Sequence, residues 1–552
     1  MIIRGASIRL TVALALTSVT LFVTSAYGQS PATPPGSHDN EVAAAQASLF
    51  SKPEKKFLPE KPRPIDLEDE VAAVIADNAA VREQLRKMEE QQKTLLELVD
   101  RLERRLDGST VAEVSPPAQP PDPAEATESL VLSPPKKGTS LSSLRSALLD
   151  SDATDDRYQD GIVLVKTSDQ AKIPFMLKFV DNVTQFRYLN TLATNYTFTD
   201  HLGNVLPVAK RNDLNVNREM FTFAGYMFDK RLTYGLFAWT SATTTQVVVS
   251  GNISWRFGKA LTVNTGYWGV PGSRTLTFTF PFFTQPERSL ADNFFRPGFT
   301  QGIWFTGEPL KRLNYFVFIG NGLNTLTISA SKLDTSLVYA GSFWWEPLGP
   351  YGPEGRPRNM YDDYFESEKP VIRVGFSYTR AREDRFSDLD QNNPENTSMH
   401  NSDGVLTFAT GAFAPGVTLN LATYRMLAID GGIKWRGLAV NGQYYSRWLD
   451  NFVADGPLPL ASTFDRGYEA SASYFVVPKK FMLEARTSGV IGQFGNSSEY
   501  AGGFKWHFVP TERVWLQGEV MRIYRASYGS IITPYTAGMT GWAPVVQTIF
   551  SF

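Results

Sequence analysis

From about residue 170 to its end the chain alternates at period two, in short runs broken by Gly, Asn, Asp and Pro. Period two belongs to extended strands, because successive side chains leave opposite faces of a pleated sheet. Phe221, Phe223, Gly225 and Met227 share one face, with Met220, Thr222, Ala224 and Tyr226 on the other. Ile253, Trp255 and Phe257 alternate with Ser254 and Arg256, and Tyr500, Gly502, Phe504, Trp506 and Phe508 alternate with Ala501, Gly503, Lys505 and His507. Val514, Leu516, Gly518 and Val520 alternate in the same way with Trp515, Gln517 and Glu519. Roughly sixteen such runs fill about 400 residues, near the length and spacing of transmembrane strands.

A soluble sandwich also alternates, so the contents of the two faces decide. One face of many runs is aromatic or aliphatic, while the other is small or polar, as at Asn420, Ser471, Gly503 and Gln517. Lipid outside and water inside require that division. Aromatics gather near run ends (Trp344, Trp345, Tyr444, Tyr445, Trp448, Tyr524 and Tyr528), where interfacial girdles are expected. The chain closes on Phe550-Ser551-Phe552. That ending resembles the C-terminal signal read by the machinery that assembles outer-membrane barrels. The predicted fold is all-β, a transmembrane antiparallel barrel over 166–552, with an α-helical coiled coil before it.

The preceding residues divide into four segments. Residues 1–28 have the form of a secretory signal peptide, with Arg4 and Arg9, an uncharged apolar stretch from Leu10 to Thr24, and Ala26-Tyr27-Gly28 before Gln29. Residues 29–64 are rich in Pro and Lys and read as an extended linker. Over 65–107 apolar residues recur at spacings of three and four, with Val71, Leu85, Val99 and Leu106 at a, and Leu67, Val74, Val81, Met88, Leu95 and Leu102 at d. Such a narrow seam predicts a coiled coil, and Asn78 and Gln92 at a would set its register. A single amphipathic helix docked on another domain is the alternative, and dimer and trimer stay open. Residues 108–165 form a second, Pro-rich linker.

Composition narrows the chemistry. Cys is absent and only four His are present, which removes disulfides, thiolate metal sites and thiol nucleophiles. His38, His201, His400 and His507 stand in no obvious partnership, and no Gly-x-Ser-x-Gly elbow is convincing. No catalytic residue, metal ligand or cofactor is expected. The formal net charge of −2 gives no reason to expect nucleic acid as a partner.

Several short motifs, taken in order, resemble the phosphate-selective porin O and P family. They are Asn217-Arg218 before the strand run ending at Phe228-Asp229, Tyr267-Trp268-Gly269-Val270-Pro271, Pro286-Glu287-Arg288-Ser289-Leu290, and Phe299 to Gly307 followed by Leu313 to Asn321-Gly322. The family often carries two basic residues where this chain has Asn217-Arg218. The resemblance implies sixteen strands, a homotrimer, and a pore narrowed by inward-folded loops and lined by basic side chains that select anions. The coiled coil would then lie in the periplasm.

Within 204–345 there are thirteen Lys plus Arg against seven Asp plus Glu. Arg218, Arg256, Arg274, Arg288 and Arg296 are the candidate pore residues. Alternation places Arg256 inside, and Phe280 to Pro297, carrying Arg288 and Arg296, could fold inward as a constriction. Ordinary rim charges paired with Glu287, Asp292 or Glu308 are the alternative for each. The acidic stretch Tyr361 to Asp403 is expected to flank its strand with long extracellular loops. The leading expectation is a passive porin with mild anion preference, in contact with outer-membrane lipid and lipopolysaccharide, its own copies, the barrel assembly machinery and small anionic or neutral solutes. A general or carbohydrate porin, a tether joining the outer membrane to the cell wall through the coiled coil, and a barrel enzyme are the competing readings.

Overall fold

The computed structural model describes residues 161–168, 170–240, 247–277, 279–324, 336–352, 360–385 and 398–551. The signal peptide, the first linker, the coiled coil with Asn78 and Gln92, the second linker as far as Asp160, and Phe552 lie outside these residues. All described residues belong to the second of two compact units, Thr139–Phe552.

In chain order the strands are β1 (Ile162–Lys166), β2 (Phe175–Asn190), β3 (Thr197–Thr199), β4 (Val205–Pro207), β5 (Asn212–Met227), β6 (Asp229–Thr240), β7 (Val247–Arg256), β8 (Thr262–Gly269), β9 (Phe299–Leu310), β10 (Leu313–Gly320), β11 (Val338–Trp345), β12 (Val371–Asp384), β13 (Leu419–Trp435), β14 (Leu438–Ala454), β15 (Ser462–Val477), β16 (Phe481–Gly492), β17 (Gly495–Trp506), β18 (Val514–Tyr524) and β19 (Gly541–Ser551). One short helix, α1 (Leu290–Phe295), lies between β8 and β9.

Sixteen strands, β2 and β5 through β19, pair antiparallel in sequence order. The last meets the first, from Val545 opposite Leu189 to Ser551 opposite Val183, so the sheet closes on itself. Closure satisfies both edges of every strand, which an open sheet of this size could not do. Below the end of β19, β1 takes over the same edge of β2, pairing Ile162 with Phe179 and Lys166 with Met176. All of β1 except Lys166 falls inside the stretch read from the sequence as the second linker. β3 and β4 form a separate hairpin within 191–211.

The alternation seen in the sequence sorts the two faces. On β12, Val374, Phe376 and Tyr378 are exposed, while Arg373, Ser377 and Thr379 between them are buried. On β17 and β18, Tyr500, Trp506 and Val520 are exposed, and Glu499, Lys505, Gln517 and Glu519 are buried. The exposed face is an apolar band that hydrocarbon tolerates and water does not, and the buried polar face lines the lumen. Phe550 is exposed and sits edge-on to Phe508, with ring centroids 6.3 Å apart. Of the aromatics expected in girdles, Trp345, Tyr444 and Tyr524 do face outward. Trp344, Tyr445 and Tyr528 are buried instead. Strand-end position alone could not reveal that these three pack against lumen contents.

The barrel has two rims. At the rim where β2 begins and β19 ends, most connections are short. Arg436 and Gly437, with φ of 49° and 83°, form the two-residue turn between β13 and β14, a geometry glycine adopts without strain. Long connections (191–211, 270–298, 398–418 and 525–540 among the described residues) crowd the other rim. The acidic segment around β12 is therefore split between rims, because one strand separates its flanks. Of its C-terminal flank, the described residues 398–403 belong to the long-loop rim. Residues 361–370 belong to the short-turn rim, and Tyr361, Asp362, Asp363 and Tyr364 are buried in the barrel rather than solvated. Acidity suggested solvation, but Lys505 inside the lumen supplies Asp362 with a partner at 2.9 Å.

Candidate functional site: the barrel lumen

Two segments enter the lumen from opposite rims. The first, 270–298, runs between β8 and β9, and almost all of its described residues are buried. Ser289 caps α1, its hydroxyl accepting from the Asp292 amide at 3.0 Å. The Leu290 amide at the start of the helix donates to Glu499 on the wall at 2.8 Å. Wall side chains collect the loop's carbonyls: Gln185 and Gln547 donate to Pro286, and Arg486 to Glu287, at 3.3, 3.1 and 2.6 Å. Phe295 stacks on Tyr445 with centroids 5.0 Å apart and planes 5° from parallel. Gly467 makes room for it, since a Cβ there would lie 2.2 Å from the Phe295 ring.

The second segment, described over 346–352 and 360–370, enters from the short-turn rim. The Lys434 ammonium donates to the Tyr351 carbonyl at 3.0 Å, and Asn441 donates to the Tyr361 carbonyl at 2.9 Å. The segments meet where Arg274 lies against Tyr361 and Tyr351, its guanidinium carbon 4.1 and 5.2 Å from their ring centroids. The Tyr361 amide donates to the Phe282 carbonyl at 3.2 Å. Lys505 joins both segments, donating to the Phe283 carbonyl at 2.8 Å and to Asp362. Burial pushes the Asp362 carboxyl up, but the Lys505 charge and hydrogen bond, with His507 and Lys434 near, hold it below its ordinary value.

The five candidate arginines separate accordingly. Arg218 on β5 and Arg288 in the loop share Glu287, at 2.7 and 3.6 Å, and Arg288 also faces Asp292 at 3.9 Å. Arg274 donates to Asn441 at 2.8 Å. Arg296 is buried and donates to Asn293 at 3.3 Å. Arg256 keeps the inward parity set by buried Ser254, but it is the exposed last residue of β7 at the short-turn rim. It takes no part in this assembly, because the inward parity of a strand runs past the region where the loop sits.

The sequence reading missed the wall's own charges. Arg373 pairs with Asp430 at 2.8 Å, Arg447 with Asp465 at 2.8 Å, and Arg486 with Glu499 and Glu519 at 2.7 and 3.2 Å. Each stands at an inward position of an alternating run, and that parity was the available signal. Counting charges along 204–345 could not register them, since the acids come from β13 to β18. Between loop and wall, Phe283, Glu287, Arg288, Glu469 and Arg486 surround a recess of about 20 Å³, enough for one water. Nearer the wall of β5 to β9, Trp239, Tyr267, Trp268, Phe280 and Phe299 line a cavity of about 160 Å³.

Two histidines also gain surroundings that were not foreseen. His201 and Asp403 meet at 2.6 Å, joining 191–211 to 398–418. His507 lies under the rings of Tyr364, Phe475 and Trp515, and burial, with the charge of Lys505, lowers its pKa to about 4.

No family model matches this chain, and no curated protein matches it. Among solved structures it is similar to an anion-selective porin from Comamonas acidovorans, at 11% identity and a TM-score of 0.41 over 69% of this chain and 100% of that one. It is similar also to outer-membrane expressed OmpT of Vibrio cholerae, at 9% identity and a TM-score of 0.44 over 70% of this chain and 100% of that one. A third is the outer membrane channel DcaP of Acinetobacter baumannii, at 8% identity and a TM-score of 0.40 over 70% of this chain and 100% of that one.

Proposed function

We propose that this chain is an outer-membrane porin for passive diffusion of small solutes, working as a homotrimer. One observation carries the reading: a closed sixteen-strand sheet presents apolar side chains outward and ionisable side chains to a lumen entered by a folded loop. Hydrocarbon outside and a polar route inside are the two requirements of such a channel. The trimer rests on the family resemblance and on the heptad seam of 65–107. Assembly by the barrel machinery rests on the ending at Phe550 and Phe552. The tether reading rests on the same seam and is tested by deleting 29–107 and comparing conductance with envelope integrity.

The basic excess along 204–345 favours a mild anion preference of the phosphate-selective kind. The lumen weighs against it. Among the described residues, buried acids outnumber buried bases, and Arg218, Arg288, Arg373, Arg447 and Arg486 each face a carboxylate. Paired charges leave little net field to repel cations. The pore we infer is therefore weakly selective. The aromatic cavity beside Trp239 and Trp268 favours the alternative of a neutral or carbohydrate solute, whose apolar face stacks on rings.

Purified protein in a planar bilayer tests this directly. Stepwise conductance is expected, with a reversal potential near zero or on the cation side in a KCl gradient. Folded protein that inserts but conducts nothing would sink the channel reading. A strong anion reversal potential, reduced by phosphate, would restore the phosphate-type reading.

A further inference from the structure

We propose that the outer wall of β12 and β13 carries a binding site for the phosphate groups of an anionic glycolipid in the leaflet at the long-loop rim. The inference rests on the reading that this barrel spans a membrane. Arg380 and Arg382 stand at outward positions of β12, in register with Arg425 and Thr423 of β13. With Tyr378, Asp450 and Asn451, Arg380 and Arg425 border a recess of about 350 Å³ on the outside of the sheet. Arg466, on the outward face of β15, is exposed nearby.

Arginines clustered on a face that is mostly apolar need an explanation. Charge on a lipid-facing wall is costly at mid-membrane and nearly neutral only at the interface. The wall supplies the depth. Ten residues separate Trp435, exposed at the short-turn rim, from Arg425 on the same strand. At about 3.3 Å per residue and a tilt near 40°, they lie about 25 Å apart along the membrane normal, the height of the apolar band. Arg425 and Arg380 thus sit where the far leaflet's headgroups begin.

Local acids do not neutralise the patch. Arg425 pairs with Asp450. Arg382 donates to the Thr423 hydroxyl at 3.0 Å and to the Asn451 carbonyl, both neutral. Arg380 is exposed and has no hydrogen-bond or ion-pair partner among the described residues. A guanidinium fork with open donors, at headgroup depth and beside a recess, matches phosphate in charge and geometry. Acyl chains of the same lipid would lie along Phe376, Val374 and Ile429 below it, all exposed.

The test uses the full mature chain in mild detergent and, as probe, an acylated glucosamine disaccharide bearing two phosphates, with its dephosphorylated form as control. Binding is read by native mass spectrometry, and conductance is measured on the same preparation. The diphosphorylated lipid should bind, and Arg380→Gln, which disturbs no internal contact, should weaken binding by about tenfold, the loss of one charge-assisted contact. Arg380→Gln/Arg382→Gln should abolish it. Equal binding by wild type and both variants would overturn the proposal, as would equal binding of the dephosphorylated lipid. Displacement by equimolar inorganic phosphate would also overturn it, by marking a free-anion site. Cross-links between two copies through residue 380 would do the same, by marking a protein contact. A channel that conducts but fails these tests defeats this inference alone. Lipid binding without conductance defeats the channel reading alone.

Discussion

The guanidinium of Arg274 rests 4.1 Å from the ring centroid of Tyr361, and the two residues enter the barrel from opposite rims. Neither segment is held by the wall alone. Each closes against the other across the lumen, and on the proposed channel reading that contact between loops would limit the route.

Arg274→Ala should loosen that contact. A desolvated cation–π contact contributes about 2 kcal/mol, and the hydrogen bond to Asn441 is lost as well. Single-channel recordings should show larger or noisier steps, and the barrel should unfold at lower denaturant. Unchanged steps would mean that the two segments are positioned by the wall independently.

Arg447 and Asp465 form a buried pair on β14 and β15, and Arg447 also donates to the His400 and Phe294 carbonyls. Arg447→Ala strands a buried carboxylate and should cost about 3–5 kcal/mol. Replacing both residues by Leu should recover much of that loss. Urea unfolding in vesicles measures the cycle, and additive losses would show that the pair is not coupled.

Gly467→Ala should unseat α1. The added methyl carbon would lie 2.2 Å from Phe295 and 2.8 Å from the Gly489 carbonyl, and the latter is backbone that cannot swing away. A loss of about 1–3 kcal/mol is expected, with increased protease cleavage in 270–298 from outside. Wild-type resistance would show that the helix has another seat.

His507 supplies a pH dependence with a definite sign. Its folded pKa of about 4 lies below the ordinary value of 6.5. Between those values the unfolded chain binds a proton that the folded chain does not. Its contribution to stability is therefore full above pH 6.5 and is lost as the pH falls towards 4, by roughly 3 kcal/mol at most. Denaturant midpoints at pH 7, 5 and 4 should fall less steeply in His507→Gln than in the wild type. Parallel curves would refute a buried neutral imidazole.

Much of the barrel was legible because strand parity is a local signal. Trp515, Gln517 and Glu519 announce their face from spacing alone, and so does Phe508 beside Phe550. The inward loop was legible from its Phe and Pro content at 280–297. The second insert was not. Tyr361 and Asp362 look like a solvated acidic loop until Lys505, far along the chain, comes within hydrogen-bond reach. Ion pairs such as Arg373 with Asp430 have the same origin, since they depend on which strands become neighbours and at what register. His201 and Asp403, 202 residues apart, could not have been matched before the loops at their rim were in place.

One consequence follows from β1. It clasps the lower part of β2 on the very edge that β19 occupies above it, so Gly161 enters the barrel at its closing seam. Mechanical load passed down the N-terminal segment would reach that seam first. A pull on Gly161 would have to peel the five residues of β1 from β2 before it reached the pairing of β19 with β2.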